Sequence, residues 1–257
     1  MTGTFILIAV SFVLLWFLFN SKISKKKAVL INLSEDWVTL LEKKVPFYQK
    51  LGNRKKNEFE KRVIEFLESV TITGINCEVE ELDKILIASS ALIPVFQFSS
   101  WKYPNLDEVL LYPLPFNEKF GHEDANIQGM VGNGFMSGKM ILSRTSLRQG
   151  FQAELDKKNV GIHEFVHLID GVDGKIDGIP EVLMSQQYSL PWLDLVYRKI
   201  KEMQTKNTDL NPYGATNEQE FLSVASEYFF EHPRQLKKKH PDLYGMLSYF
   251  YSSKYNS

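Results

Sequence analysis

The chain has 257 residues and a formal net charge of −1, enough length for one ordinary domain with a real core. That balanced charge gives none of the basic excess by which a nucleic-acid-binding surface is read. Cys77 is the single cysteine, which excludes an internal disulfide and a thiolate metal cluster.

The first predicted element is apolar. Gly3 to Phe19, GTFILIAVSFVLLWFLF, carries no charged side chain, and about 17 to 20 such residues cross a bilayer as a helix. Lys22, Lys25, Lys26 and Lys27 follow, and a basic cluster beside a span stays on the cytoplasmic side. Residues 1–20 therefore read as a single-pass anchor in the inner (cytoplasmic) membrane, 21–30 as a basic linker, and 31–257 as a domain facing the cytoplasm. A cleaved signal peptide would want positive charge ahead of the apolar run and small residues after it. Met1 to Phe5 has no basic side chain, and FLFNSK offers no such cleavage site.

Helical spacing runs from Glu35 to Leu51 with an interruption near Pro46, and again from Asn57 to Val70, where Phe59, Val63, Ile64, Phe66 and Leu67 share a face. A third, more apolar helix is expected over Glu80 to Ile93, ended by Pro94. Glu108 to Tyr112 and Gly138 to Ser143 are short apolar runs bounded by Pro, Gly or Asn, and read as strands. Gly129, Gly132, Gly134 and Gly138 point to a turn or hairpin between them. Helices return over about 154–170, 190–206, 217–231 and 240–252. The fold class is α+β: a mainly helical domain with a small central sheet, after one transmembrane helix.

The chemistry concentrates in GIHEFVHLIDGVDG, residues 161–174. His163 and His167 stand four apart and project from one helix face. Two such imidazoles reach one zinc ion at about 2.0–2.1 Å. Glu164 can take a proton from a water that zinc acidifies, which is the mechanical content of H-E-x-x-H. The competing reading is a buried helix whose histidines bond to backbone, since Ile162, Phe165, Val166, Leu168 and Ile169 wrap it in apolar surface.

A zinc site needs a third protein ligand. Asp173 lies six residues after His167, but the glycine such a site needs three residues after the second histidine is Asp170 here. Glu220 and Glu227, seven apart on a largely apolar helix, face the same way; a carboxylate there needs a partner, and spacing does not choose between them. His122, His232 and His240 fall outside the pattern and read as structural or surface residues.

Several segments make the chain similar to the Mlc titration factor A family of zinc metallopeptidases, whose catalytic arrangement is related to that of anthrax lethal factor. They are WKYPNLDEVLLYP (101–113), GKMILSRTSLRQGF (138–151), NVGIHEFVHLIDGVDGKIDGIP (159–180), YGATNEQEFLSVASEYFFEHP (213–233) and HPDLYGMLSYFY (240–251). The resemblance implies zinc held by His163, His167 and Glu220, with Glu164 as general base. It implies Tyr213, seven residues before Glu220, as donor to the oxyanion. Asp170 and Glu227 resemble family positions that could orient a histidine.

The resulting expectation is a membrane-anchored gluzincin-type zinc peptidase acting on peptides or proteins, aminopeptidase-like on short peptides. The alternative is a regulatory protein that binds and sequesters a transcriptional repressor. A zinc-stabilised scaffold without catalysis would need neither Glu164 nor Tyr213. The anchor departs from the family's well-known soluble members.

Overall fold

Ser34 accepts a hydrogen bond from the Trp37 N–H and opens α1 (Glu35–Lys44). Glu35 and Asp36 sit in its first turn and Lys43 and Lys44 in its last, each complementing the helix dipole. The computed structural model describes residues 33–121, 123–132, 134–152 and 158–252. The expected anchor at 1–20, the linker at 21–30, His122 and the start of the expected helix at 154–157 lie outside those residues. Among the described residues no helix is long and apolar enough to cross a membrane.

The interruption expected near Pro46 is present: Val45 is extended, and α2 (Pro46–Gln49) starts on the proline, where a missing N–H costs nothing. Helix α3 (Asn53–Ser69) buries Phe59, Val63 and Phe66. Helix α4 (Glu81–Val95) is buried along almost its whole length. It runs one residue past Pro94, because a proline in the last turn breaks little of the helix ladder. Arg62 of α3 donates to the carbonyls of Val95 (3.1 Å) and Phe96 (2.9 Å), which the helix end leaves open.

Four strands form one sheet in the order β1-β2-β4-β3: β1 (Thr71–Gly74), β2 (Leu106–Tyr112), β3 (Gly129–Val131) and β4 (Gly138–Ser143). The first three in that order run parallel, with α4 as the crossover between β1 and β2; β3 is antiparallel to β4. The glycine-rich segment is thus a β3–β4 hairpin, and Gly138 at φ +79° takes a left-handed turn conformation that side chains resist. Strand β3 forms an edge of the sheet.

After β4 come α5 (Arg144–Gly150) and α6 (Val160–Asp170). Helix α6 packs against α4, against α8 (Glu218–Glu231) and against β3. Phe165 anchors its inner side, 5.8 Å from the Phe66 ring and 5.1 Å from the Tyr103 ring. Helix α7 (Ser189–Thr205) precedes α8; α9 (Pro233–Lys239) and α10 (Pro241–Phe250) follow it, each beginning on a proline. The α+β expectation for the domain holds, with a mixed sheet and with β1, α5 and α9 as elements that hydropathy spacing left unmarked.

Candidate metal centre

Asn159 opens α6 in an extended conformation, its side-chain oxygen accepting the Ile162 N–H at 3.1 Å. Every residue from Gly161 to Asp170 is buried, so the helix carries four polar side chains out of water: His163, Glu164, His167 and Asp170. Groups buried this way need partners, and α8 supplies most of them. Asn217 caps α8 by accepting the Glu220 N–H at 2.9 Å, which fixes Glu220 in the first turn.

Glu220 Oε2 lies 2.9 Å from His163 Nε2 and 3.5 Å from His167 Nε2, and the two Nε2 atoms are 3.1 Å apart. Ligands around a tetrahedral ion with bonds of about 2.05 Å stand about 3.3 Å from one another. The three edges bracket that value. A proton shared by the three groups would not require two imidazole nitrogens to face each other, whereas a common cation does. The donor set, two imidazoles and a carboxylate, fits zinc in a catalytic rather than a closed structural site. The ligand atoms of all three residues fall within 4.8 Å of one another.

The far sides of the imidazoles are also held. His163 Nδ1 is 2.7 Å from Glu227 Oε1, and Ser223 Oγ is 3.3 Å from His167 Nδ1. With the proton on Nδ1 in each ring, both Nε2 lone pairs point at the same spot. Glu227 Oε2 in turn accepts the Asn159 N–H at 2.5 Å, and Asn159 Nδ2 donates to Glu231 at 3.0 Å. One asparagine therefore caps α6 and ties it to two carboxylates of α8.

The electrostatics describe a place prepared for positive charge. Burial would lower His163, but the hydrogen bonds to Glu220 and Glu227 outweigh it and raise the imidazole to about 10. Burial would raise Glu220, but its bonds to both histidines hold it at about 2. Glu164 is pushed up by burial, with the two imidazoles opposing. Asp170 rises to about 7 through burial, against the Gly178 N–H that donates to it at 2.8 Å. Glu231 also rises to about 7, again through burial.

Glu164 lies under the edge strand. A Cβ added to Gly129 would come within 2.7 Å of the Glu164 carboxylate oxygen and its Cγ, so the missing side chain is what leaves room for the acid. Gly129→Val is expected to displace the carboxylate and lower turnover at least tenfold, with metal content unchanged; steady-state kinetics beside metal analysis checks both.

Tyr213 sits in a 3-10 turn, Pro212–Ala215, opened by Asn211, whose side chain accepts the Tyr213 N–H at 3.1 Å. Its ring is 6.0 Å from the His163 ring and is 55% exposed. Burial of the hydroxyl, with Glu220 and Glu164 nearby, raises its pKa and keeps it a donor. Tyr213, His163, Glu164 and Gly129 line one cavity of about 350 Å³.

The other candidates separate cleanly. Asp173 is exposed and accepts the Lys175 N–H, away from the triad. Glu227 contacts His163 from behind rather than joining Glu220. Asp170 fastens the loop after α6 through Gly178. His240 pairs with Asp209 at 2.8 Å, and His232 packs near the Tyr228 ring. Asn159 and Ser223 carry no mark of the site in the sequence pattern, and Gly129 reads there only as part of a turn or hairpin. An asparagine directly before a helical run is an N-cap signal, but nothing in spacing reports its second bond to α8.

Two histidines and a glutamate from two buried helices, with another carboxylate under an edge strand, define a metallopeptidase-type centre. The chain matches the glucose-regulated metallo-peptidase M90 family over residues 20–252 and belongs to it. It is 28% identical to protein slr2042 of Synechocystis over 233 residues, 85% of this chain and 84% of that one. It is 26% identical to Mlc titration factor A of Pectobacterium atrosepticum over 171 residues, 62% of this chain and 64% of that protein. With Mlc titration factor A of Cronobacter sakazakii it shares 27% over 188 residues, 68% and 69% of the two chains.

Proposed function

We propose that this chain is a zinc-dependent peptidase, aminopeptidase-like on short peptides, whose domain is held at the cytoplasmic face of the inner membrane by residues 1–20. The observation that carries the catalytic part is the His163–His167–Glu220 triangle, with edges of 2.9, 3.1 and 3.5 Å, beside the buried carboxylate of Glu164. Zinc held by the three residues would supply Lewis acidity, polarising the scissile carbonyl and bringing the pKa of water toward neutrality. Glu164 takes the proton of the attacking water and returns it to the leaving amine. Its burial raises the affinity of the carboxylate for a proton and so eases the first transfer, from water to Glu164. The Tyr213 hydroxyl donates to the oxyanion, an interaction made only as the carbonyl oxygen becomes charged. The free edge of β3 pairs with the peptide backbone and aligns it over Glu164.

The test is metal analysis with peptide-library hydrolysis by the full chain. Tyr213→Phe is expected to cut kcat about a hundredfold with little change in KM; a variant that keeps full kcat removes Tyr213 from the reaction. The anchor rests on the uncharged run at 3–19 and the lysines after it. The full chain should pellet with membranes through an alkaline wash, and deletion of residues 1–20 should release it. Release of the intact chain by salt alone would refute the span.

The name of the relatives, Mlc titration factor A, favours a second reading, in which the chain binds a regulatory protein. A binder keeps its effect when Glu164 is replaced, and a peptidase does not.

A further inference from the structure

We infer that Lys158 selects substrates carrying a carboxylate on the leaving-group side of the cleaved bond. The inference deepens the peptidase reading above and rests on it. It starts from direction. The cavity beside Glu164 takes Ile127, Gln128 and Gly129 from the chain entering β3, and Lys158, Val160 and His163 from the start of α6. It therefore lies at the beginning of both elements, and the rest of β3, Met130 and Val131, leads away from it.

Strand β3 is an edge, and its other side is already paired with β4. Antiparallel pairing is somewhat more stable per residue than parallel. A peptide added antiparallel to β3 enters past Val131 and turns off the edge at Gln128, because Phe116 already pairs with the Ile127 N–H and C=O. Its residues after the scissile bond thus run into the cavity, toward Lys158.

The charges in that cavity are then decisive. Glu164 is the base. Glu227 is spent on His163 and on the Asn159 N–H. Lys158 has no ion pair among the described residues, and among them it is the one lysine or arginine lining the cavity. An ammonium without a counter-charge at the leaving-group end recognises an anion there. A peptide offers two: the terminal carboxylate of a short product fragment, or an Asp or Glu side chain.

The experiment measures kcat/KM of the zinc-loaded full chain on two matched pairs. One pair differs in a free C-terminal carboxylate against a C-terminal amide; the other carries Glu against Gln just after the cleaved bond. The wild type is expected to favour the charged member of at least one pair about fivefold at low salt, less at high salt. Which pair responds identifies the carboxylate. The ratio should fall to about one in Lys158→Met and below one in Lys158→Glu. Cleavage of both pairs without preference, or a preference unmoved by Lys158→Glu, overturns the role of Lys158 and leaves the peptidase reading standing. No cleavage of any peptide by zinc-loaded protein overturns both.

Discussion

Glu164→Gln is expected to reduce turnover by about 10²–10⁴-fold while zinc content and fold stay as in the wild type. The size of the effect follows from the geometry. Gln has the shape of Glu, so it fills the same space against Gly129, where a Cβ would already meet Glu164 at 2.7 Å. It cannot accept a proton from water. It touches none of the three edges of the His163–His167–Glu220 triangle, so metal affinity should persist. The measurement is peptide hydrolysis and metal stoichiometry on one preparation. Activity within tenfold of the wild type would remove Glu164 as general base, and loss of metal with activity would make it a structural residue instead.

Metal-free protein should lose stability in two stages as pH rises. Asp170 and Glu231 hold protons up to about 7 in the fold, against ordinary values of 3.8 and 4.5. Between those limits the folded chain binds more protons than the unfolded one, so stability falls with pH. His163 then keeps its proton to about 10, against 6.5. Its contribution is fully present below 6.5 and disappears as pH approaches 10. Each stage is expected to amount to a few kcal/mol, on the order of the shifts at about 1.4 kcal/mol per unit. Zinc requires the deprotonated imidazole, so saturating zinc should erase the second stage and leave the first. Asp170→Asn with Glu231→Gln should flatten the first and leave the second. Urea titrations at pH 4.5, 7 and 9.5, with zinc or with chelator, separate these outcomes. A metal-free protein that gains stability from pH 7 to 9.5 would contradict the assignment.

Helix α6 and the shared face of its two histidines were readable from the sequence because their signal is local: four-residue spacing on a helix that needs no partner to be recognised. The choice between Glu220 and Glu227 was not. Seven residues separate them, so both point to one side of α8 about 10.5 Å apart along the axis, and only the docking of α8 against α6 decides. The structure sets Glu220 opposite both Nε2 atoms and Glu227 behind His163. The family resemblance implies the same choice, Glu220. Strands β2 and β4 were visible as bounded apolar runs, whereas β1 is four residues, TITG, too short to show a period. Tyr213 shows the same limit from another side: its position beside His163 depends on a 3-10 turn fixed by Asn211.

The triangle joins residues 57 positions apart, and that separation orders events during synthesis. A nascent chain that has exposed α6 presents two imidazoles and nothing to complete their grip. High-affinity capture of the ion waits until α8 has emerged and Asn159 has clasped its acids. Metallation would then be a late reaction of an almost finished protein, and the ion a seal on correct assembly rather than its seed.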